Sequence, residues 1–310
     1  MQPAPSRPER GRFVRDQVQA LRRAGGAEVE LFEFPPGPPQ LARAARELRR
    51  RFGPRAGQPP FDVVHAHFGL TAWPALAVRA RVRALTMHGT DLADPRTRLL
   101  TRAVLARIEL PAAVSAELAG RIPGPAADRA QVLPCGVDTA RFRPLPRAHA
   151  RHELGLAEGP LLLFPADPAR HEKRHDRARE LAALTGARLL ELKDVEPERV
   201  PLFVNAANAV VVPSEREGFG LAVLEALACD VPVLATPVGI HGEALAGIAG
   251  TLCAPYDAAS WSAALAPHLA APDPRVAGRG AAERFSAAAM AARVREAWLR
   301  ALGGSGQVGG

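Results

Sequence analysis

Glu217 and Glu225 lie on either side of a glycine-rich turn in the stretch EREGFGLAVLEALACD. The surrounding sequence predicts a strand, this turn and then a helix. The unpaired N–H groups of a first helical turn favour an anion, and glycines let a ligand approach the backbone closely. The turn therefore suits a diphosphate. The residues predicted to bind it are Gly218, Phe219, Gly220 and Leu221.

The two carboxylates themselves are suited to a different group, because like charges would repel a phosphate. A carboxylate accepts hydrogen bonds, and the hydroxyl groups of a sugar ring donate them. Glu225, inside the helix, would hold one ring, and Glu217, on the turn, would hold another. A nucleotide sugar has a sugar at each end of a diphosphate. The alternative is that the acids only stabilise the helix through its dipole, by about 0.3–1 kcal/mol per charge.

The elements that must position these residues follow an alternating pattern. Short apolar runs alternate with longer amphipathic segments, which is typical of βα units on parallel sheets. The strands are predicted at 28–34, 61–67, 83–88, 110–115, 131–134, 161–166, 187–192, 208–213 and 231–236. The helices are predicted at 12–24, 39–52, 71–80, 95–108, 174–185, 220–228 and 286–302.

The fold class indicated is α/β, with two doubly wound, Rossmann-like domains. A Pro- and Gly-rich segment after Phe142 places the predicted boundary between residues 145 and 146. The predicted domains are therefore 1–145 and 146–285, with a last helix at 286–302 and a disordered tail at 303–310. Residues 1–11 have the composition of a loop, so the first strand of the N-terminal domain is predicted to be missing.

The composition limits the class of protein. Its 310 residues suit two domains, and no apolar run approaches a membrane span or a signal-peptide core. The three cysteines are too far apart for a disulfide framework or a CxxC metal site, which favours a reducing, cytoplasmic setting. Lysine occurs only at Lys173 and Lys193, against 38 arginines, so a retained lysine indicates a site that needs an ammonium group.

The positive charge is concentrated near the start of the chain. Residues 1–60 hold 12 arginines and six acids, which is +6 of the net +8. Such a surface favours an anionic membrane or a polyanionic acceptor, and solvated helix faces are the alternative. A nucleic-acid-binding function is not indicated, because helix-turn-helix, zinc-finger and aromatic RNA-binding signatures are lacking.

The chain resembles the retaining GT-B glycosyltransferases of family 4, also described as glycosyl transferases group 1. The resemblance covers about Gly11 to Leu302. Its motifs, in order, are GRFVRDQVQALRRAG, DVVHAHFG, MHGTDL, VLPCGVDTARFRP, DPARHEKR, PSEREGFGLAVLEALACDVPVLATPVG with the E-x7-E spacing, and ERFSAAAMAARV. The family implies two domains facing across a cleft, a donor nucleotide held mainly by the C-terminal one, and a last helix that returns to the N-terminal one.

The resemblance also implies a role for individual residues. Glu225 would hold the ribose, and Glu217 and His88 would lie beside the transferred sugar as catalytic residues. Arg170 and Lys173 would neutralise the diphosphate as negative charge builds up on it. The alternatives are a solvated loop for Arg170 and Lys173, and a capped loop histidine for His88.

The implied reaction is sugar transfer with retention of configuration, without a bound metal or a cofactor beyond a UDP- or GDP-linked donor. The acceptor would be a glycan or a lipid-linked molecule in cell-surface glycan or glycolipid synthesis. The basic segment at residues 1–60 favours a cytoplasmic protein with peripheral contact at the inner face of the membrane. His65 and His67 have H-x-H spacing but no further cluster of zinc ligands, so a zinc site is not indicated. They are expected either to line the acceptor side of the cleft or simply to pack there. Cys135 replaces an asparagine that is usual in the family. The alternative function is an inactive GT-B remnant that binds a nucleotide or a partner without turnover.

Overall fold

The computed structural model describes residues 11–35, 37–53 and 59–304. The described residues divide into two compact units: 11–135 together with 290–304, and 136–289. The division between the units lies ten residues before the boundary predicted from the sequence. The prediction of a missing first strand concerns residues 1–11, of which 1–10 lie outside the described residues. Gly303 and Gly304 of the predicted tail are helical, and residues 305–310 also lie outside the described residues.

The N-terminal unit is a parallel sheet with helices around it. Its strands run in the order β1-β2-β3-β4, and every pairing between them is parallel. Its elements are α1 Arg12–Ala24, α2 Pro38–Phe52, β1 Phe61–His67, α3 Gly69–Ala75, β2 Ala80–Met87, α4 Thr90–Ala93, α5 Pro95–Leu105, β3 Leu110–Ala113, α6 Ala116–Ala119, a 3₁₀ helix Gly124–Arg129 and β4 Gln131–Val132.

One predicted strand of this unit is wrong. Residues 28–34 alternate in polarity, but they form no strand. Instead of pairing with a strand, the carbonyl of Val29 accepts two hydrogen bonds from the guanidinium of Arg22, at 3.0 and 2.7 Å. Glu33 pairs with Arg15 at 3.2 Å. Side chains of α1 therefore contact this segment, whose backbone pairs with no strand among the described residues.

The C-terminal unit has a five-stranded parallel sheet in the order β6-β5-β7-β8-β9. Its two central strands, LLLF and AVVV, are buried throughout, as expected for parallel strands covered on both faces. Its elements are α7 Arg147–Leu154, β5 Leu161–Phe164, a 3₁₀ turn His171–Lys173, α8 His175–Thr185, β6 Arg188–Glu191, α9 Val200–Ala206, β7 Ala209–Val212, α10 Leu221–Ala228, β8 Val233–Ala235, α11 His241–Leu245, β9 Leu252–Cys253, α12 Ala258–Ala270, α13 Arg279–Glu283 and α14 Ala287–Gly304.

These two parallel-sheet α/β units confirm the predicted fold class. From Met290 onward, α14 belongs to the N-terminal unit, where the indole N–H of Trp298 donates to His65 Nδ1 at 3.1 Å. The strand order of the C-terminal unit also changes direction between β5 and β7. In open α/β sheets, ligands bind beyond the carboxyl ends of the strands at such a switch point.

Candidate functional site

Two loops of the C-terminal unit meet at this switch point. The loop after β5 carries Arg170 and Lys173, and the loop after β7 carries Glu217. The backbone N–H of Glu215 donates to the carbonyl of Glu172 at 2.9 Å, which holds the two loops together. The topology thus brings together residues that the sequence analysis predicted separately.

The contact between Lys173 and Glu217 is the centre of this arrangement. Lys173 Nζ lies 2.5 Å from Glu217 Oε2, and the hydroxyl of Ser214 donates to Glu217 Oε1 at 2.8 Å. The side chains of Lys173 and Glu217 are only 13% and 8% exposed. The ammonium group therefore compensates a nearly buried carboxylate and fixes its orientation at the start of the glycine turn.

The glycine turn leads directly into α10. Gly220 has φ +104°, in the region that favours glycine, and α10 starts at the next residue. The carbonyl of Phe219 accepts from the N–H of Ile240 at 2.8 Å, and Gly239 lies so close to this carbonyl that a Cβ would meet it at 2.4 Å. The loop after β8 thereby supports the turn, and Leu221 begins a helix whose first N–H groups have no partner within the helix.

His241 lies beneath the turn and was not predicted as a site residue. It is fully buried, and its Nδ1–H donates to the carbonyl of Thr236 at 2.8 Å. Its other nitrogen, Nε2, has no hydrogen-bond partner and lies against Gly220. Burial lowers the pKa of His241, so the ring is neutral here. In the sequence, a single histidine in TPVGIHGEAL carries no feature that indicates this position.

Gly220→Ala is expected to destabilise the protein by at least about 2 kcal/mol. The added Cβ would lie 2.4 Å from Nε2 of His241, and the positive φ would be strained for alanine. Urea unfolding measures the effect. Gly242→Ala is the matched control, because a Cβ there meets nothing within 4 Å and no positive φ is involved. Equal stability of the two variants would contradict the close packing of the turn on His241.

Two other predicted residues of this unit stand apart from the buried pair. The guanidinium of Arg170 bonds to Glu172 at 2.7 and 2.9 Å, and the Arg170 side chain is 54% exposed. Glu225 lies in the second turn of α10 and is partly buried. The Arg170 guanidinium is therefore accessible to a ligand from solvent, whereas Glu225 is a partly buried residue within α10.

His88 belongs to the N-terminal unit, where it follows β2 and takes part in a cluster of three histidines. Nε2 of His88 lies 3.1 Å from Nδ1 of His67. The rings of His65 and His67 stack with 4.7 Å between their centroids. Phe13 and Phe68 cover His88, with ring centroids 4.4 and 4.7 Å away.

The hydrogen bonds of this cluster define the protonation of each ring. The amide N–H of Gln17 donates to His67 Nε2 at 3.4 Å, so His67 Nδ1 carries the proton and donates to His88 Nε2. His88 in its neutral form then carries its proton on Nδ1. Likewise, His65 Nδ1 accepts from Trp298, so His65 Nε2–H donates to Thr86 Oγ1 at 2.8 Å.

We expect the free energy of unfolding to fall as the pH drops below about 6.5. Burial lowers the pKa from 6.5 to about 4 for His65 and about 3 for His88, and places the pKa of His67 well below 6.5. The unfolded chain binds protons first, so this stability is complete above pH 6.5 and is lost on acidification towards pH 3–4.

Urea titrations at several pH values measure this acid dependence. His65→Asn keeps an acceptor for Trp298 and is expected to reduce the slope of the free energy of unfolding against pH. His152→Asn, at a side chain 88% exposed, is expected to leave it unchanged. A slope for His65→Asn equal to that of the unsubstituted protein would contradict the assignment.

Asp91 fixes the backbone on which His88 is mounted. Its carboxylate accepts from the N–H of His88 at 2.6 Å and from the N–H of Gly69 at 2.7 Å. It therefore joins the end of β2 to the start of α3. Asp91 is only 4% exposed, and burial raises the pKa of its carboxyl group. The signal for this role is an aspartate three residues after a strand-end histidine, in MHGTDL.

In the described part of the chain, no group of three or more His, Cys, Asp or Glu side chains has an arrangement that could hold a metal ion. Among the same residues, none of the helices is both long enough and apolar enough to cross a bilayer.

Comparison with protein-family models identifies both halves of the chain. Residues 4–141 match the model described as Glycosyltransferase Family 4, and residues 161–285 match Glycosyl transferases group 1. The D-inositol 3-phosphate glycosyltransferases of Nocardia farcinica and Actinosynnema mirum are each 31% identical, over 74% and 78% of this chain. The chain spans 63% of the first relative and 72% of the second.

Solved structures agree with this result at the level of fold. Sucrose-phosphate synthase from Thermosynechococcus elongatus matches with a TM-score of 0.71 at 20% identity, over 96% of this chain and 94% of its own. Anabaena HepE, solved in complex with UDP and glucose, matches with a TM-score of 0.68 at 17% identity, over 95% of this chain and 97% of its own. The chain belongs to the family 4 glycosyltransferases, also described as glycosyl transferases group 1. The family membership indicated by the sequence motifs is confirmed.

Proposed function

We propose that the protein transfers a sugar from a nucleoside-diphosphate donor to an acceptor, with retention of anomeric configuration. The observation that carries this proposal is the nearly buried Lys173–Glu217 pair beside the glycine turn that opens α10. The pair offers a cation for a diphosphate and a carboxylate for sugar hydroxyls within one loop cluster. Glu225 is assigned to the ribose, and Arg170 and the N–H groups of residues 218–221 to the diphosphate.

The donor is UDP- or GDP-linked, and UDP is the first to test. Anabaena HepE, of the same fold, was solved with UDP and glucose. The acceptor is a glycan or a lipid-linked molecule of cell-surface glycan synthesis. The name of the relatives adds D-inositol 3-phosphate, a phosphorylated cyclitol, to the acceptor panel.

We assign retention to a reaction in which the acceptor oxygen attacks the same face of the sugar from which the diphosphate leaves. The bond from the anomeric carbon to the diphosphate oxygen breaks, the bond to the acceptor oxygen forms, and the acceptor proton passes to the leaving diphosphate. Glu217 is poorly suited to act as a covalent nucleophile, because both of its oxygens are engaged, by Lys173 at 2.5 Å and Ser214 at 2.8 Å. Lys173 instead stabilises the charge that develops on the diphosphate.

No resident metal is assigned to the reaction, so a chelator is expected to leave the rate unchanged. The protein is assigned to the inner face of an anionic membrane, where the basic charge of residues 1–60 favours contact with lipid.

The test is incubation with UDP- and GDP-sugars and the acceptor panel. Release of the nucleoside diphosphate gives the rate, and proton NMR of the product gives its anomeric configuration. We expect turnover with one donor class and a product of the same configuration as the donor. An inverted product would overturn retention. Nucleotide binding without turnover across the panel would favour the inactive GT-B remnant.

A further inference from the structure

The outward face of α5 combines large apolar side chains with arginines. Leu99 is 68% exposed, the highest value for a large hydrophobic side chain in the described residues, and its neighbour Leu100 is 46% exposed. The opposite face of the helix buries Thr101, Val104 and Leu105. The two leucines therefore lie on the face that the fold of this unit does not use.

Arginines surround these leucines. Arg96, Arg98 and Arg102 of α5 are exposed, and Arg107 follows just beyond the helix. None of the four takes part in an ion pair among the residues that the structure describes. By contrast, Arg50 pairs with Glu47 on α2, and Arg121, just beyond the end of α6, pairs with Glu117 of that helix. The positive charge of this face is thus left for a partner.

A tryptophan completes the face. Trp73 of α3 is partly buried, and its indole N–H donates to the carbonyl of Leu100 at 3.2 Å. The indole therefore lies directly beside the exposed leucines. We refer to Trp73, Arg96, Leu99, Leu100 and Arg102 as the α5 surface.

We propose that the α5 surface docks on an anionic phospholipid bilayer. A helix that lies in the membrane interface carries leucine on the face toward the acyl chains and arginine at the level of the lipid phosphates. Tryptophan is enriched at the same depth, because its ring is apolar and its N–H is polar. The inference extends the membrane contact in the proposed function and assigns it to a surface outside residues 1–60.

The arginine-rich α2 is the other candidate for the membrane contact, and it differs from α5 in its exposed apolar side chains. Arg43, Arg46 and Arg49 of α2 are exposed, but residues 11–35 and 37–53 expose no large hydrophobic side chain. Attraction by charge alone is screened by salt. Both α2 and α5 contact α3, so α2 adds positive charge beside a surface that supplies the apolar contact.

Co-sedimentation with vesicles tests this inference without reference to catalysis. The intact chain is expected to bind vesicles that contain phosphatidylglycerol and not vesicles of phosphatidylcholine alone. The double variant Leu99→Gln/Leu100→Gln is expected to lower the partition coefficient about tenfold. Leu184→Gln is the matched control, because Leu184 is 61% exposed on α8 of the other unit. Its partition coefficient is expected to stay unchanged.

The charges are tested separately. Arg96→Gln and Arg102→Gln are each expected to lower binding to anionic vesicles about fivefold at low salt, with a smaller effect at high salt. Trp73 provides a spectroscopic readout, because its fluorescence is expected to shift to shorter wavelength on binding. Trp73→Phe is expected to remove most of that shift, since Trp261 is fully buried and Trp298 lies outside the α5 surface, with its indole N–H bonded to His65.

Three outcomes would overturn the inference. If Leu99→Gln/Leu100→Gln binds normally while Arg43→Gln/Arg46→Gln does not, the membrane contact belongs to α2 and the proposed localisation stands. If the intact chain binds no vesicle, both the α5 inference and the proposed membrane localisation are contradicted. If the leucine variant only abolishes self-association, the face is an interface between copies of this chain. None of these outcomes depends on glycosyl transfer, which is assayed with soluble donor and acceptor.

Discussion

Lys173→Met is expected to destabilise the protein by about 3–5 kcal/mol and to lower glycosyl transfer by about 10²–10³-fold. Without the ammonium group, the carboxylate of Glu217 would remain 8% exposed with only the hydroxyl of Ser214 as a partner. An uncompensated charge in such a position is costly, and the leaving diphosphate would lose a cation. Urea unfolding and the rate of nucleoside-diphosphate release measure the two effects.

Two further variants separate stability from catalysis. Lys173→Met/Glu217→Gln removes both charges, so we expect most of the stability to return while transfer stays lost. Lys193→Met is the matched control, because Lys193 is exposed, and it is expected to change neither quantity. Unchanged stability of Lys173→Met alone would contradict the assignment of a tight, nearly buried ion pair.

His88→Ala is expected to lower kcat by about 100-fold and to leave binding of the free nucleoside diphosphate unchanged. The resemblance assigns His88 to the transferred sugar, whereas it assigns Glu225, Arg170 and Lys173 to the nucleotide. The neutral ring presents a fixed tautomer, because His67 donates to His88 Nε2 at 3.1 Å. Steady-state kinetics and a separate binding titration measure the two quantities.

The control for this prediction is His149→Ala, at an exposed histidine on α7. It is expected to have the kinetics of the unsubstituted protein. Normal transfer by His88→Ala and by Glu217→Gln together would contradict the site assignment as a whole.

The sequence predicts those parts of the fold that are determined by local periodicity. The bounds of α1 agree at both ends, since its apolar residues recur with the helical period and Gly25 ends it. The predicted β5 and β7 are confirmed as buried parallel strands. Residues 28–34 were misassigned, because strand periodicity does not reveal whether a partner strand exists.

The contacts of the candidate site depend on tertiary structure and could be predicted only in part. The glycine turn and its two glutamates are visible in the sequence, and the resemblance added Lys173 and His88. The direct bond between Lys173 and Glu217 joins residues 44 positions apart, and it follows from the strand order at the switch point. His241 and Asp91 act through burial and backbone hydrogen bonds, which composition and spacing do not encode. The catalytic and binding roles of the site residues stay predictions.

Thermal unfolding with a panel of nucleoside diphosphates and nucleotide sugars tests the central claim most directly, namely that the turn opening α10 holds a nucleotide sugar. Ligand at about 100 times its dissociation constant should add roughly 2.7 kcal/mol of stability. We predict a rise in Tm with UDP or GDP that is absent in Glu225→Gln and in Lys173→Met/Glu217→Gln. No rise with any nucleotide, or an equal rise in these variants, would contradict the account.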